Sequence, residues 1–294
     1  MDELAGKIAF VTGGGSGIGL AFIKRLSQAG CNTFVADLRL HPDAKAWIES
    51  LGEHHSTRFR HSPVDVTDWE QLEAAFKQCR EVFGVPDIVV PGAGVYEPNS
   101  NSFWEDCDHD SHYKVLDINL IHPIKSTRIA IRHLVEAGKK DAVILHISSV
   151  AGQRASVVTP LYTLSKHGIN SFVRSLADLQ HIAGIRVVAV APGNVGTPLW
   201  TEHQNAMKFL DMSTDFLLPP DDVARAMLAL VTDKKYVAGT VLEVCDTDNW
   251  REVGLLNDPG PRGSASVTSR KHEGIISIMP FLTQASEPAK LPQS

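Results

Sequence analysis

Along the chain, short apolar runs alternate with longer stretches in which apolar residues recur every three or four positions. Lys7–Val11 is near-continuously apolar and ends at Thr12. Asn32–Ala36, Arg58–Val64, Asp87–Val90, Ala142–Ile147, Ile185–Val190 and Thr240–Val244 read as further strands. Runs this short without polar alternation suit strands covered on both faces, as parallel pairing requires. Between them the helical period predicts helices over Ser16–Ala29, after Pro42, from Thr67 to about Phe83, near Ser111–Glu136 and over Pro160–His181. The punctuation agrees: Gly30 supplies a left-handed C-terminal stop, Pro42 suits a first helical position, and Thr67-Asp68-Trp69-Glu70 has the spacing of a capping box. Strands separated by helices need crossover connections, so the fold class is α/β, a doubly wound, seven-stranded parallel sheet with helices on both faces. The pattern decays after about Trp250. Residues 1–250 are expected to form a single domain and residues 251–294 a C-terminal extension, with a turn-rich stretch at Pro259–Ser264 and an apolar island at Ile275–Leu282. That extension either hangs free or folds back over a pocket.

Several segments carry candidate chemistry. Thr12-Gly13-Gly14-Gly15-Ser16-Gly17-Ile18-Gly19 joins the first strand to the first helix. A glycine-rich turn at a helix N-terminus lets backbone N–H groups approach a pyrophosphate. Asp37 ends the second strand, where a carboxylate can accept from both hydroxyls of an adenosine ribose while repelling a 2′-phosphate. Arg39 pulls the other way, since a basic side chain can serve that phosphate. Tyr162 and Lys166 stand four residues apart on a predicted helix and share one face. A lysine ammonium there favours the phenolate and lowers the tyrosine pKa, although such a pair taken alone is more often a surface contact. Ser149 follows the strand Ala142–Ile147 and can reach the carboxyl end of the sheet, and Ser148 is also in reach. Asn119 lies in the long helix between the fourth and fifth strands.

These segments together resemble the short-chain dehydrogenase/reductase family, of Rossmann type, over about residues 5–250. Thr12-Gly13 with Gly17-Ile18-Gly19 resembles the family's cofactor turn, Asp65-Val66 its adenine-contacting pair, and Pro192-Gly193 through Thr197 its nicotinamide-side segment. Asn119, Ser149, Tyr162 and Lys166 stand where the family has its catalytic tetrad. The resemblance implies that Tyr162 takes the proton of a substrate hydroxyl and Ser149 holds the substrate oxygen. Lys166 would lower the tyrosine pKa and bind the nicotinamide ribose, and Asn119 would hold a relay water. The expected cofactor is NAD, on the strength of Asp37, held by Gly13, Ser16, Gly17, Ile18, Gly19, Asp37, Asp65, Val66, Ala93, Gly94, Asn119, Tyr162, Lys166, Pro192, Val195 and Thr197. The family's Asn-Asn-Ala-Gly is here Pro91-Gly92-Ala93-Gly94. Pro91 removes a backbone donor, so the strand end must be held differently.

The resemblance implies oxidation of a secondary alcohol to a ketone. An NADPH-dependent ketoreductase is the alternative within the family, and an inactive cofactor-binding sensor the alternative outside it. The family's lid segment is here Leu199–Leu218, carrying Leu199, Trp200, Met207, Phe209, Leu210, Phe216, Leu217 and Leu218. With Tyr96, Phe103 and Trp104 it suggests an apolar pocket for a steroid-like, terpenoid or fatty alcohol, unless these residues only pack the lid down. The 294 residues carry a net charge of −6, which offers no footprint for nucleic acid or anionic membrane. Cys31, Cys79, Cys107 and Cys245 show no paired spacing and read as buried thiols of a reducing compartment. With no basic–apolar leader and no apolar run near 20 residues, the expectation is a cytoplasmic protein without a membrane partner. Thirteen histidines raise a metal site, densest at Cys107–His112, but no distant ligand set matches and none is expected. The two long helices resemble those that pair family members into homodimers or homotetramers, an analogy only.

Overall fold

The computed structural model describes residues 4–52, 57–97, 101–104, 106, 112–202 and 215–254. The strands are β1 (Ile8–Thr12), β2 (Asn32–Ala36), β3 (Phe59–Ser62), β4 (Ile88–Pro91), β5 (Ala142–Ile147), β6 (Ile185–Pro192), β7 (Val241–Val244) and β8 (Trp250–Glu252). They form one sheet in the order β3-β2-β1-β4-β5-β6-β7-β8. All neighbours pair in parallel except β7 and β8, where Val244 faces Trp250 in antiparallel register. The expected seven parallel strands are therefore present, and an eighth, antiparallel edge strand adds to them.

Alternation along β1 divides the core. Ala9 and Val11 point to one face with Val35, Val90, Leu145 and Val188, against Leu20, Ile23 and Leu26 of α1 (Gly17–Gln28) and Met227 and Leu230 of α9 (Pro220–Thr232). Ile8 and Phe10 point to the other face with Phe34, Val89 and Ile144. They meet Leu72 and Phe76 of α3 (Trp69–Val82), Ile129 and Leu134 of α5 (His122–Glu136), and Ile169 and Val173 of α6 (Pro160–Ser175). Phe10 stacks on Phe76 with ring centroids 3.8 Å apart. Each such buried ring contributes about 2–3 kcal/mol by burial.

The remaining helices are α2 (Pro42–Glu49), α4 (Lys114–Leu116), α7 (Leu179–Ala183) and α8 (Pro198–Thr201). Several predicted boundaries shift, each for a local reason. The cap of α3 is Asp68, which accepts from the N–H groups of Glu70 and Gln71, while Thr67 instead donates its hydroxyl to Asp65. Strand β4 begins at Ile88, and the Asp87 carboxylate just before it is engaged with Lys7, Lys139 and the N–H of Ile8. The helix expected near Ser111–Glu136 begins at Lys114 and is interrupted by a π turn, Asp117–Ile121. The Pro160–His181 helix stops at Ser175, and α7 resumes the direction. Among the described cysteines, Cys31 and Cys79 are buried, but Cys245 is exposed at the end of β7, contrary to the expectation of buried thiols. Cys107 and residues 255–294, including Pro259–Ser264 and Ile275–Leu282, lie outside the described residues. No described helix is long and apolar enough to cross a membrane.

The strand order reverses between β1 and β4, so the loops leaving their carboxyl ends turn to opposite faces and open a crevice. That crevice holds the candidate site.

Candidate active site

A cleft of about 570 Å³ runs along the carboxyl ends of the strands. Its lining includes every residue expected to hold a cofactor or carry catalysis except Asn119, which stands behind the wall at 2% exposure.

At one end lies the glycine turn. Gly13 has φ +71°, and a Cβ there would come within 2.5 Å of the Ala93 nitrogen; a Cβ on Gly19 would sit 2.0 Å from the Gly13 carbonyl oxygen. The turn can close on itself and against the β4 loop only without side chains. Ser16, at the N-cap of α1, makes no side-chain capping bond, so the first-turn N–H groups stay available to an anion. The Asp37 carboxylate accepts from the N–H of Gly15 at 2.8 Å and of Arg39 at 3.1 Å. Leu38 lines the cleft beside Asp37, whereas Arg39 does not. Val64, Asp65 and Val66 form the adjoining wall, with Asp65 Oδ1 accepting from the N–H and hydroxyl of Thr67. Open amide donors, a carboxylate at the strand end and a continuous groove fit a dinucleotide. We expect Gly19→Ala to force the turn open and weaken nucleotide binding at least about tenfold in a titration, with the far-ultraviolet spectrum of the fold retained.

Pro91 pairs with Thr12 across β1 and β4 but has no N–H to give. The Thr12 hydroxyl makes up for it by accepting from the N–H groups of Gly92 at 3.0 Å and Ala93 at 3.3 Å. Its own proton goes to His122 Nε2 at 3.0 Å, because His122 Nδ1 must donate to the Ile118 carbonyl. The altered strand end is thus held by a threonine and a buried histidine.

At the other end, β5 delivers Ser149 and α6 delivers Tyr162 and Lys166 on one face. Ser149 is hydrogen-bonded to Tyr162, accepts from the N–H of Ala151 at 3.1 Å, and faces the Pro192 carbonyl at 3.4 Å. Ser148 also lines the cleft, but its hydroxyl is spent on Asn170 Oδ1, to which it donates at 2.6 Å. Lys166 Nζ donates to the Ile147 carbonyl at 3.0 Å and lies 5.4 Å from the Tyr162 ring centroid. Burial dominates the electrostatics of both groups. It pushes Tyr162 up to about 12, with the Ser149 hydrogen bond pulling the other way and Tyr96 adding to the rise. It also pulls Lys166 down to about 8. The expected lowering of the tyrosine by Lys166 is outweighed here by burial. Asn119 lies within the π turn and ties its side chain to Val95, accepting from the N–H at 2.9 Å and donating to the carbonyl at 2.8 Å.

The substrate side is aromatic. The Tyr96 ring lies 5.3 Å from Tyr162 and 5.5 Å from Trp200, and Leu199, Trp200 and Val158 line the cleft. Phe103 and Trp104, expected in the same pocket, do not line the cleft; they are 52% and 61% exposed and stack edge to face. Of the expected lid, Phe216 is exposed but Leu218 is in the core, bridging to Val195, so it belongs to packing and not to the pocket. Met207, Phe209 and Leu210 lie outside the described residues. So does most of Cys107–His112; His112 itself pairs with Asp117. His146 and His167 also stand clear of the cleft lining, with His146 buried against Thr127 and His167 bonded to the Thr163 carbonyl. Glu97, which the sequence did not single out, is buried beside Tyr162 and accepts from its N–H at 3.1 Å. An acid in a Pro-containing loop carries no local signal of such a contact.

Comparison with known proteins agrees with this geometry. The family model for short chain dehydrogenases matches residues 7–208. The 15-hydroxyprostaglandin dehydrogenase [NAD(+)] of Bos taurus is 32% identical over 244 residues, covering 78% of this chain and 87% of that protein. The cis-4-hydroxycyclohexanecarboxylate dehydrogenase of Sinomonas cyclohexanicum is 30% identical, covering 83% and 96% respectively. Among solved structures, the 3-ketoacyl-(acyl-carrier-protein) reductase from Brucella melitensis complexed with NADH superposes with a TM-score of 0.69 at 28% identity, covering 82% of this chain and 98% of that one. The chain belongs to the short-chain dehydrogenase family and is an oxidoreductase.

Proposed function

We propose that this protein oxidises a lipophilic secondary alcohol to a ketone with NAD as hydride acceptor. The observation that carries the proposal is the joining of Ser149, Tyr162 and Lys166 to Asp37 by one continuous cleft. The first-turn N–H groups of α1, with Gly13, Ser16, Gly17, Ile18 and Gly19, would hold the pyrophosphate. Asp37 would take the adenosine ribose, Asp65 and Val66 the adenine side, Ala93 and Gly94 the middle, and Pro192, Val195 and Thr197 the nicotinamide side. Beside Asp37 the cleft is lined by the apolar Leu38 and not by Arg39, which supports NAD over NADP.

When bound, the oxidised nicotinamide supplies the hydride acceptor and a positive charge. The protein's own groups then handle the proton. Ser149 donates to the substrate oxygen and fixes it against Tyr162. Tyr162, as phenolate, accepts the hydroxyl proton, and Lys166 stabilises that phenolate while its remaining donors reach the ribose. The test is formation of reduced nicotinamide from a panel of hydrophobic secondary alcohols with each nucleotide. We expect at least a tenfold preference for NAD in kcat/KM. Turnover seen only as ketone reduction with NADPH would reverse the assignment, and nucleotide binding without any turnover would favour a sensor.

One cation narrows the substrate. Arg154 lines the cleft in the run between Ser149 and Tyr162, and it makes no hydrogen bond or ion pair with the described residues. The nearby carboxylate of Glu243 is taken by Arg251 at 2.5 and 3.1 Å. A guanidinium in the cleft lining, unpaired among the described residues, suits a substrate that also carries a carboxylate. The named activity of the Sinomonas relative, on a hydroxycarboxylate, supports this. Arg154→Ala is expected to lower kcat/KM for a hydroxy acid by about ten- to a hundredfold while leaving its methyl ester unaffected. Equal losses on both substrates would remove Arg154 from substrate recognition.

A further inference from the structure

Glu97 is a carboxylate only 3% exposed, yet no cation pairs with it among the described residues. Its partners are two backbone N–H groups from different parts of the chain. Oε2 accepts from Tyr162, in the first turn of α6, at 3.1 Å, and Oε1 accepts from Phe103, in the aromatic loop, at 3.0 Å. Burying a carboxylate is costly, and hydrogen bonds from uncharged amides offset that cost only where both are well made.

The first turn of α6 lacks a cap of its own. Its N-cap residue, Thr159, makes no side-chain capping bond. Orphan amide donors and the positive end of the helix dipole draw an anion to that place. Glu97 fills the role from outside the helix, at the residue that bears the phenol. The aromatic loop is bolted to the same region at a second point, where Trp104 Nε1 donates to the Val157 carbonyl at 2.7 Å. Its far side is anchored by Asn101, which donates to the His112 carbonyl at 3.2 Å and accepts from the N–H of Lys114 at 2.8 Å.

We propose that Glu97 is a positioning residue that straps the loop of Phe103 and Trp104 to the turn carrying Tyr162, so that the neighbouring Tyr96 ring, which lines the cleft where a bulky substrate would lie, and the proton-accepting phenol are held in register by one carboxylate. The proposal rests on Tyr162 being the proton acceptor. It requires both arms of the strap: the helix arm fixes the phenol, and the loop arm holds the carboxylate, and with it the adjoining Tyr96, in place. A glutamine at 97 has one acceptor oxygen in place of two, so it can satisfy only one arm.

The test is steady-state kinetics of Glu97→Gln with a small and a bulky secondary alcohol, alongside the melting temperature. The expected result is a fall in kcat of about tenfold on both alcohols, with KM raised for the bulky one only. A second variant, Phe103→Pro, removes the loop arm's donor together with the ring, and is compared with Phe103→Ala, which loses the ring alone and keeps the N–H. Phe103→Pro is expected to raise KM for the bulky alcohol beyond Phe103→Ala. Kinetic constants within twofold of wild type for folded Glu97→Gln, or a lowered melting temperature with unchanged kinetics, would overturn the strap. Should Glu97→Gln not fold, the Phe103 pair decides, and equal KM values for the two overturn it. Activity surviving in Tyr162→Phe overturns the underlying mechanism instead, so the two failures are distinct.

Discussion

Tyr162→Phe is expected to lower kcat for alcohol oxidation by about a thousandfold while the protein still folds and binds nucleotide. The substitution deletes one oxygen. Ser149, its partner, keeps the N–H of Ala151 and the Pro192 carbonyl, so no buried group is orphaned and the melting temperature should stay near that of wild type. What is lost is the acceptor of the substrate proton, and a positioned general base is worth about 10² to 10⁴ in rate. The direction of the tyrosine shift adds a second signature. Because burial holds Tyr162 up toward 12, the phenolate gains population only as pH rises, so the oxidation rate of the wild-type enzyme should climb through the alkaline range. Nucleotide binding can be followed by quenching of Trp200, which lines the cleft. Turnover within tenfold of wild type in a folded, nucleotide-binding Tyr162→Phe would remove this residue from the chemistry.

The parts of the fold visible in the sequence are those with local causes. Strands buried on both faces announce themselves as unbroken apolar runs, and β1, β2 and β5 fall where those runs lie. The glycine turn was legible because close backbone approach admits no other residue at Gly13 and Gly19. Ser149, Tyr162, Lys166 and Asp37 were found through order and spacing matched to a family, not through physics alone. What stayed hidden depends on contacts distant in sequence. The edge strand Trp250–Glu252 has a half-exposed and two exposed residues and no apolar run to mark it. The bond from Thr12 to His122, which answers for the missing donor at Pro91, joins residues 110 apart. Glu97 meets Tyr162 across 65 residues. The cap of α3 moved from Thr67 to Asp68 because two N–H groups converge on Asp68, a choice between adjacent oxygens that spacing cannot make.

The second large effect concerns stability in acid. His122 and His146 are fully buried beneath the site, and burial pulls their pKa values down to about 4 and about 3. The Thr127 hydroxyl gives its proton to the Pro123 carbonyl, so His146 Nε2 must donate to Thr127 and Nδ1 is the unprotonated nitrogen. That Nδ1 has no hydrogen-bond partner, and a proton placed on it would be a buried charge with nothing to receive it. In the unfolded chain both imidazoles titrate near 6.5. Between that value and the folded values the unfolded state binds more protons, so stability is full above about pH 6.5 and falls as pH drops toward 4. The loss by pH 4 is of the order of 3 kcal/mol per histidine, which together is comparable with the whole stability of many domains. Urea unfolding at pH 7 and at pH 4 should therefore show a large drop in midpoint. His146→Leu fills the site without a titrating group and leaves the Thr127 hydroxyl its bond to Pro123, so it should remove roughly half of the histidine-dependent slope. It will be somewhat less stable than wild type at pH 7, where the native hydrogen bond is intact, and should close that gap or pass wild type at pH 4. Parallel pH dependences in the two proteins would mean that His146 is not what acid attacks.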